Sequence, residues 1–126
     1  MLRLRFYKTQ LFKKRAAELD AWKDVDELKL VLDLDPFAGD VIPGGAGLRK
    51  VRMPLASRGK GKRGGARVIY YQVADKRYIL LVYLYAKNEV ENLEDDELKV
   101  LGRIRDATVE QISKERNHEK KFGEGT

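Results

Sequence analysis

The chain has 126 residues, 43% hydrophobic and 37% charged, with a formal net charge of +6, one histidine and no cysteine. That length sets one domain with a modest core. The missing thiols exclude a disulfide framework, a thiolate metal site and a thiol nucleophile, and the lone His118 excludes a two-histidine metal site or a histidine acid–base pair. Any catalysis must therefore use Lys, Arg, Tyr or carboxylates. No apolar run reaches the roughly 20 residues of a membrane helix. The first residues alternate Leu2, Arg3, Leu4, Arg5, Phe6 and lack the apolar core of a signal peptide, so the expected location is the cytoplasm.

Leu2, Leu4 and Phe6 alternating with Arg3, Arg5 and Tyr7 predict a half-buried strand. Thr9 is placed to cap a helix with Phe12, Ala16 and Leu19 on one face. Asp24 followed by Glu27 resembles a capping box for a second helix carrying Leu28, Val31 and Leu32. That helix should end before Pro36, because the residue preceding proline avoids the helical region. Phe37 to Gly47 reads as a loop, Leu48 to Met53 as a strand and Pro54 to Gly65 as a long basic connection. Arg67 to Val73 is rich in β-branched and aromatic residues, Ala74 to Arg77 is a turn, and Tyr78 to Ala86 is apolar enough to be a central strand. Glu94, Asp95, Asp96 and Glu97 suit a helix N-terminus, where the macrodipole favours anions. Leu98, Leu101, Ile104 and Ile112 continue that helix as an apolar stripe. Residues 1–116 are expected to form one domain and 117–126 a polar, disordered tail, in which His118 is solvated.

The fold class expected from this order, βααβββα, is α+β. It has a small, mostly antiparallel sheet of about four strands. The two N-terminal helices cover one face and a C-terminal helix completes the domain, leaving the opposite face free for basic side chains.

Charge is unevenly placed along this plan. Residues 49–87 hold eleven Lys or Arg and one acid, a net +10, whereas residues 1–48 are neutral and 88–126 carry −4. Such a block beside Tyr70, Tyr71, Tyr83 and Tyr85 is an electrostatic footprint for a polyanion, RNA or DNA. At least half of these tyrosines are expected simply to pack within the sheet. The string Gly59-Lys60-Gly61-Lys62-Arg63-Gly64 matches the spacing of a dinucleotide fingerprint, but a strand follows it where that fingerprint needs a helix. Its glycines fit a basic loop approaching a phosphate backbone.

The segments Gly47-Leu48-Arg49-Lys50-Val51-Arg52, Gly61-Lys62-Arg63-Gly64-Gly65-Ala66-Arg67-Val68-Ile69-Tyr70-Tyr71 and Tyr85-Ala86-Lys87-Asn88-Glu89 together resemble the RelE/HigB family of bacterial toxin ribonucleases. The HigB branch is the nearer, and the loop Asp35 to Gly44 also looks like it. The resemblance spans roughly residues 1–112. It implies the toxin of a type II toxin–antitoxin system that enters the ribosomal A site and cleaves messenger RNA without a cofactor. It also implies a cognate antitoxin, HigA-like with a helix-turn-helix, through which the complex binds operator DNA. Lys50 and Arg52 match the family's basic pair on one strand, Arg67 matches the arginine opening the next, and Lys87 falls in the basic motif after the last. Asn88 stands where RelE has an arginine, and RelE's late aromatic has no clear counterpart. Lys50, Arg52, Arg67, Lys87 and Tyr85 are thus the candidate catalytic set, and Arg49, Arg58, Lys60, Lys62, Arg63 and Asn88 the candidate RNA-binding set.

These residue types suit the chemistry. Metal-free RNA cleavage needs a base for the ribose 2′-OH, cations for charge growing on phosphorus, and an acid for the leaving 5′-oxygen. Arg67 would clamp the phosphate through paired contacts. Neighbouring cations would make Lys50 a better base. Tyr85 or Lys87 could supply the acid, and Tyr85 could instead stack on a base. Two rivals share these features: a ParE-like gyrase inhibitor of the same fold, and an RNA-binding module that does not cleave.

Overall fold

The computed structural model describes residues 2–56, 65–90 and 92–124. In chain order it contains β1 (Arg5–Lys8), α1 (Gln10–Glu18), α2 (Trp22–Leu34), β2 (Asp40–Val41), β3 (Arg49–Met53), β4 (Ala66–Val73), β5 (Tyr78–Ala86) and α3 (Asp95–Glu124). The strands form one sheet in the order β1-β5-β4-β3-β2. β1 runs parallel to β5 and the other pairs are antiparallel. The expected four strands are therefore five, and the sheet is mixed.

The added strand, β2, lies inside the expected loop. Two paired residues are too few to show an alternation. A tight turn makes the pairing, closed by Ile42 N–H to Leu48 O at 2.9 Å, with Ala46 and Gly47 at positive φ. β1 also starts later than Leu2. The Arg3 and Leu4 amides donate to the Asp33 carboxylate of α2 rather than to a neighbouring strand.

Both faces of the sheet are covered. On one, Phe12, Ala16, Val25, Leu28 and Leu32 of α1 and α2 pack on Val68, Tyr70, Ile79, Leu81 and Leu84. On the other, Leu101 and Ile112 of α3 pack on Ile69, Tyr78, Leu80, Val82 and Tyr85. Each fully buried side chain of this size contributes about 1.5–3 kcal/mol by leaving water. The expectation of a free second face is corrected accordingly: α3 packs on that face against β5. α3 is also helical through Asn117 to Glu124, where an irregular tail was expected. A helix satisfies its own backbone, so polar composition does not prevent it.

Local devices place these elements. The Thr9 hydroxyl accepts from the Phe12 amide at 2.9 Å, the expected N-cap of α1. It also donates to Val82 O at 2.6 Å, and the Thr9 amide donates to Leu81 O. Asp24 does not cap α2. That helix starts at Trp22, behind Ala21, and Asp24 is a buried carboxylate accepting the Ala56 amide. The acidic run Glu94 to Glu97 does lie at the N-terminus of α3, as expected from the macrodipole, and the Glu97 side chain also accepts the Glu94 amide, a cap beyond that expectation.

The pairing of β4 with β5 contains a bulge. Ile69 pairs with Tyr83, and Tyr70 with Leu81, so Val82 is the extra residue. Beyond it the alternation of β5 shifts by one. Tyr83 and Tyr85 therefore face α3, on the side where Leu80 and Val82 also point.

Candidate active site

The strand registers put four of the expected residues on the α3 side of the sheet. Lys50 pairs with Ile69 and Arg52 with Arg67, and Arg67 pairs in turn with Tyr85. Paired side chains share a face, so Lys50, Arg52, Arg67 and Tyr85 project together. Lys87 follows the end of β5, in a turn at the same end of the sheet. Its amide donates to Gly65 O at 3.1 Å, which closes the β4–β5 ladder beneath the turn.

Lys50, Arg52, Arg67 and Lys87 line one polar, open depression of about 600 Å³, together with Ala38, Asp40, Val51 and Asn92. Arg52 and Lys87 are exposed, whereas Lys50 and Arg67 are half-buried. Arg67 is oriented in part by donating to Ala66 O at 3.1 Å. Three cations on β3 and β4 and a fourth in the turn after β5 focus a positive potential that a phosphodiester would neutralise.

Tyr85 sits differently. It is 1% exposed, and its hydroxyl has no hydrogen-bond partner among the described residues. Its ring lies 5.8 Å from that of Tyr83, in the apolar cluster that Val90 and Leu93 also pack against. Burial pushes the Tyr85 phenol above its ordinary value, and the neighbouring Arg67 charge pulls the other way.

The remaining candidates divide. Arg49 points to the opposite face, pairing with Tyr70; it donates to Gly39 O at 2.8 Å and lies 4.9 Å from the Phe37 ring centroid. It stands apart from the depression and holds the loop before β2. Asn88 is exposed in the turn beside Lys87. Arg58, Lys60, Lys62 and Arg63 lie outside the described residues. The tyrosines divide as well: Tyr70 is a packing residue, accepting from Gly39 N–H and donating to Pro36 O, and Tyr71 lies under the Arg105 guanidinium at 4.5 Å.

Three residues at or near the site had no sequence signal. Asp40 faces Lys50 across the β2–β3 pair, and only that pairing reveals it. Asn92 comes from the connection into α3. Arg105, buried within the expected apolar stripe of α3, donates to Ala46 O at 2.7 Å and ties the β2–β3 turn to the helix.

A sheet edge with converging cations, framed by two helices on one face and one on the other, fits what comparison with known families finds. A family model described as the RelE toxin of the RelE/RelB toxin–antitoxin system matches residues 4–122. The chain belongs to this RelE toxin family, and an antitoxin is the partner that membership implies. Among the described residues no helix is long and apolar enough to cross a membrane.

Proposed function

We propose that the protein is a HigB-branch toxin that cuts messenger RNA in the ribosomal A site by attack of the ribose 2′-OH on the adjacent phosphorus. The observation that carries this reading is the convergence of Lys50, Arg52, Arg67 and Lys87 on one depression beside Asp40. Arg67 and Arg52 hold the phosphate and offset charge gathering on its oxygens. The Asp40 carboxylate, paired opposite Lys50, accepts the 2′-OH proton, and Lys50 adds its charge beside the developing 2′-oxygen. The 2′-oxygen bonds to phosphorus as the 5′-oxygen departs, and Lys87, the exposed cation at the far side, protonates that oxygen. Tyr85 supports Arg67 from below and does not touch the phosphate. The ribosome supplies the substrate conformation, aligning the 2′-oxygen with the leaving group.

The partner in this reading is a HigA-like antitoxin that covers the depression and carries the DNA-binding helix-turn-helix. The test is translation of a defined message in a purified ribosome system, with mapping of RNA 5′ ends. Cuts should appear only on translating ribosomes. Folded Arg67→Ala and Lys50→Ala variants should each cut at least about 100-fold more slowly, the scale of losing an electrostatic or acid–base group. Wild-type rates in both variants would overturn the site. Intact message together with inhibited DNA supercoiling would establish the gyrase-inhibitor alternative instead.

A further inference from the structure

The turn that carries Lys87 is held from the other side of the sheet. β1 covers β5 only as far as Leu81, so the backbone of residues 82–86 has an open edge. Three side chains close it. Thr9 donates to Val82 O, Arg15 donates through Nε to Leu84 O at 3.0 Å, and Glu89 accepts the Ala86 amide at 2.8 Å. Arg15 and Glu89 are also ion-paired with each other, and Arg15 reaches Glu18 on its own helix at 2.9 Å. The Glu89 amide returns to Ala86 O at 3.0 Å. Lys87 thus sits inside a small ring of bonds: Glu89 to Ala86 on one side, Lys87 N–H to Gly65 O on the other. The ring is anchored to α1 through Arg15.

We infer that Arg15 and Glu89 are positioning residues for Lys87, an ionic clamp that fixes the turn presenting this cation to the phosphate-binding depression. The inference rests on the cleavage reading above for its catalytic consequence, but its structural half stands alone. A charge-assisted bond is the suitable device, because it is stronger than a neutral one and Arg15 is mostly withdrawn from water. A clamp on an open strand edge also denies that edge to another chain.

The experiment combines amide hydrogen exchange with ribosome-bound cleavage for Arg15→Ala, Glu89→Ala and Lys87→Ala, and for Arg15→Ala made in the Lys87→Ala background. Folding is checked for each by its thermal midpoint. In folded Arg15→Ala, the Lys87 and Glu89 amides should exchange at least about 10-fold faster, whereas amides of β4 should not change. Cleavage should fall by about 10- to 100-fold in kcat, the scale of misplacing a catalytic group by an ångström, with KM within about 2-fold. In the Lys87→Ala background the same substitution should cost nothing further, a coupling that a merely structural arginine would not show. Unchanged exchange at Lys87, or an equal loss of rate with and without Lys87, would overturn the clamp. If the wild-type chain does not cut ribosome-bound message, the cleavage reading falls, and the exchange of the Lys87 amide alone decides the clamp.

Discussion

Tyr85 shows how a single atom separates folding from chemistry. Its hydroxyl is buried with no hydrogen-bond partner among the described residues, although the ring packs among Ile69, Leu80 and Leu101. An unmade hydrogen bond inside a protein costs about 1–3 kcal/mol. Tyr85→Phe keeps the ring and deletes the orphan, so it should raise stability by about 1 kcal/mol, seen as a higher urea midpoint at unchanged slope. On the cleavage reading proposed above, the rate should stay within a few-fold of wild type, because Lys87 and not the phenol lines the depression. A loss of about 100-fold or more would make the phenol the proton donor. Gly39 is the converse case, a residue defined by what it lacks. A Cβ there would lie 2.7 Å from the Tyr70 ring and 2.9 Å from Lys50 O, so the loop leading to Asp40 can cross only as glycine.

At the scale of elements, the bulge in β5 decides where the site is. If β5 alternated regularly through Val82, Tyr85 would point toward α1 and α2. The bulge is held by Thr9, whose hydroxyl both caps α1 and binds Val82 O. Thr9→Ala should therefore cost more than the usual cap, about 2–3 kcal/mol, because a buried carbonyl is orphaned along with the helix amide. Chemical denaturation would measure this. A cost below about 1 kcal/mol would mean that the bulge stands without Thr9. Arg105 does comparable work between α3 and the β2–β3 turn, seating the hairpin that carries Asp40, Lys50 and Arg52.

For the whole molecule, charge is arranged unevenly even away from the site. Lys8, at the end of β1, is brought down from its ordinary 10.5 to about 8, first by partial burial and then by the neighbouring Lys29. Below about pH 8 the lysine is charged both folded and unfolded, and the folded state carries the full cost of that charge. Between about pH 8 and 10.5 the unfolded chain binds more protons than the folded one, so this group's contribution to stability rises with pH. Lys8→Met should flatten that rise and be more stable than wild type at pH 7. Urea midpoints at pH 7 and pH 9.5 for both proteins would check it, and parallel pH curves would refute it.

Much of this was legible in the residues themselves. The N-cap at Thr9, the stop before Pro36, the apolar strand β5 and the acidic start of α3 follow from local chemistry within a turn or two of chain. Lys50 and Arg52 were legible as a same-face pair through alternation along β3, whereas Arg67 and Lys87 entered through the resemblance to a family whose basic motifs they match. The capping box at Asp24 failed because a carboxylate's partner is chosen in three dimensions, here the Ala56 amide. The long-range placements were not legible either. Asp40 meets Lys50 only through a two-residue strand, Arg49 turns away to Gly39, α3 covers the face expected to be free, and Arg15 reaches Glu89 across 74 positions of sequence. Local sequence determines which residues are charged and how the backbone repeats. Which charges converge depends on strand register, a bulge and helix packing, and those belong to contacts between distant segments that no single window of sequence contains.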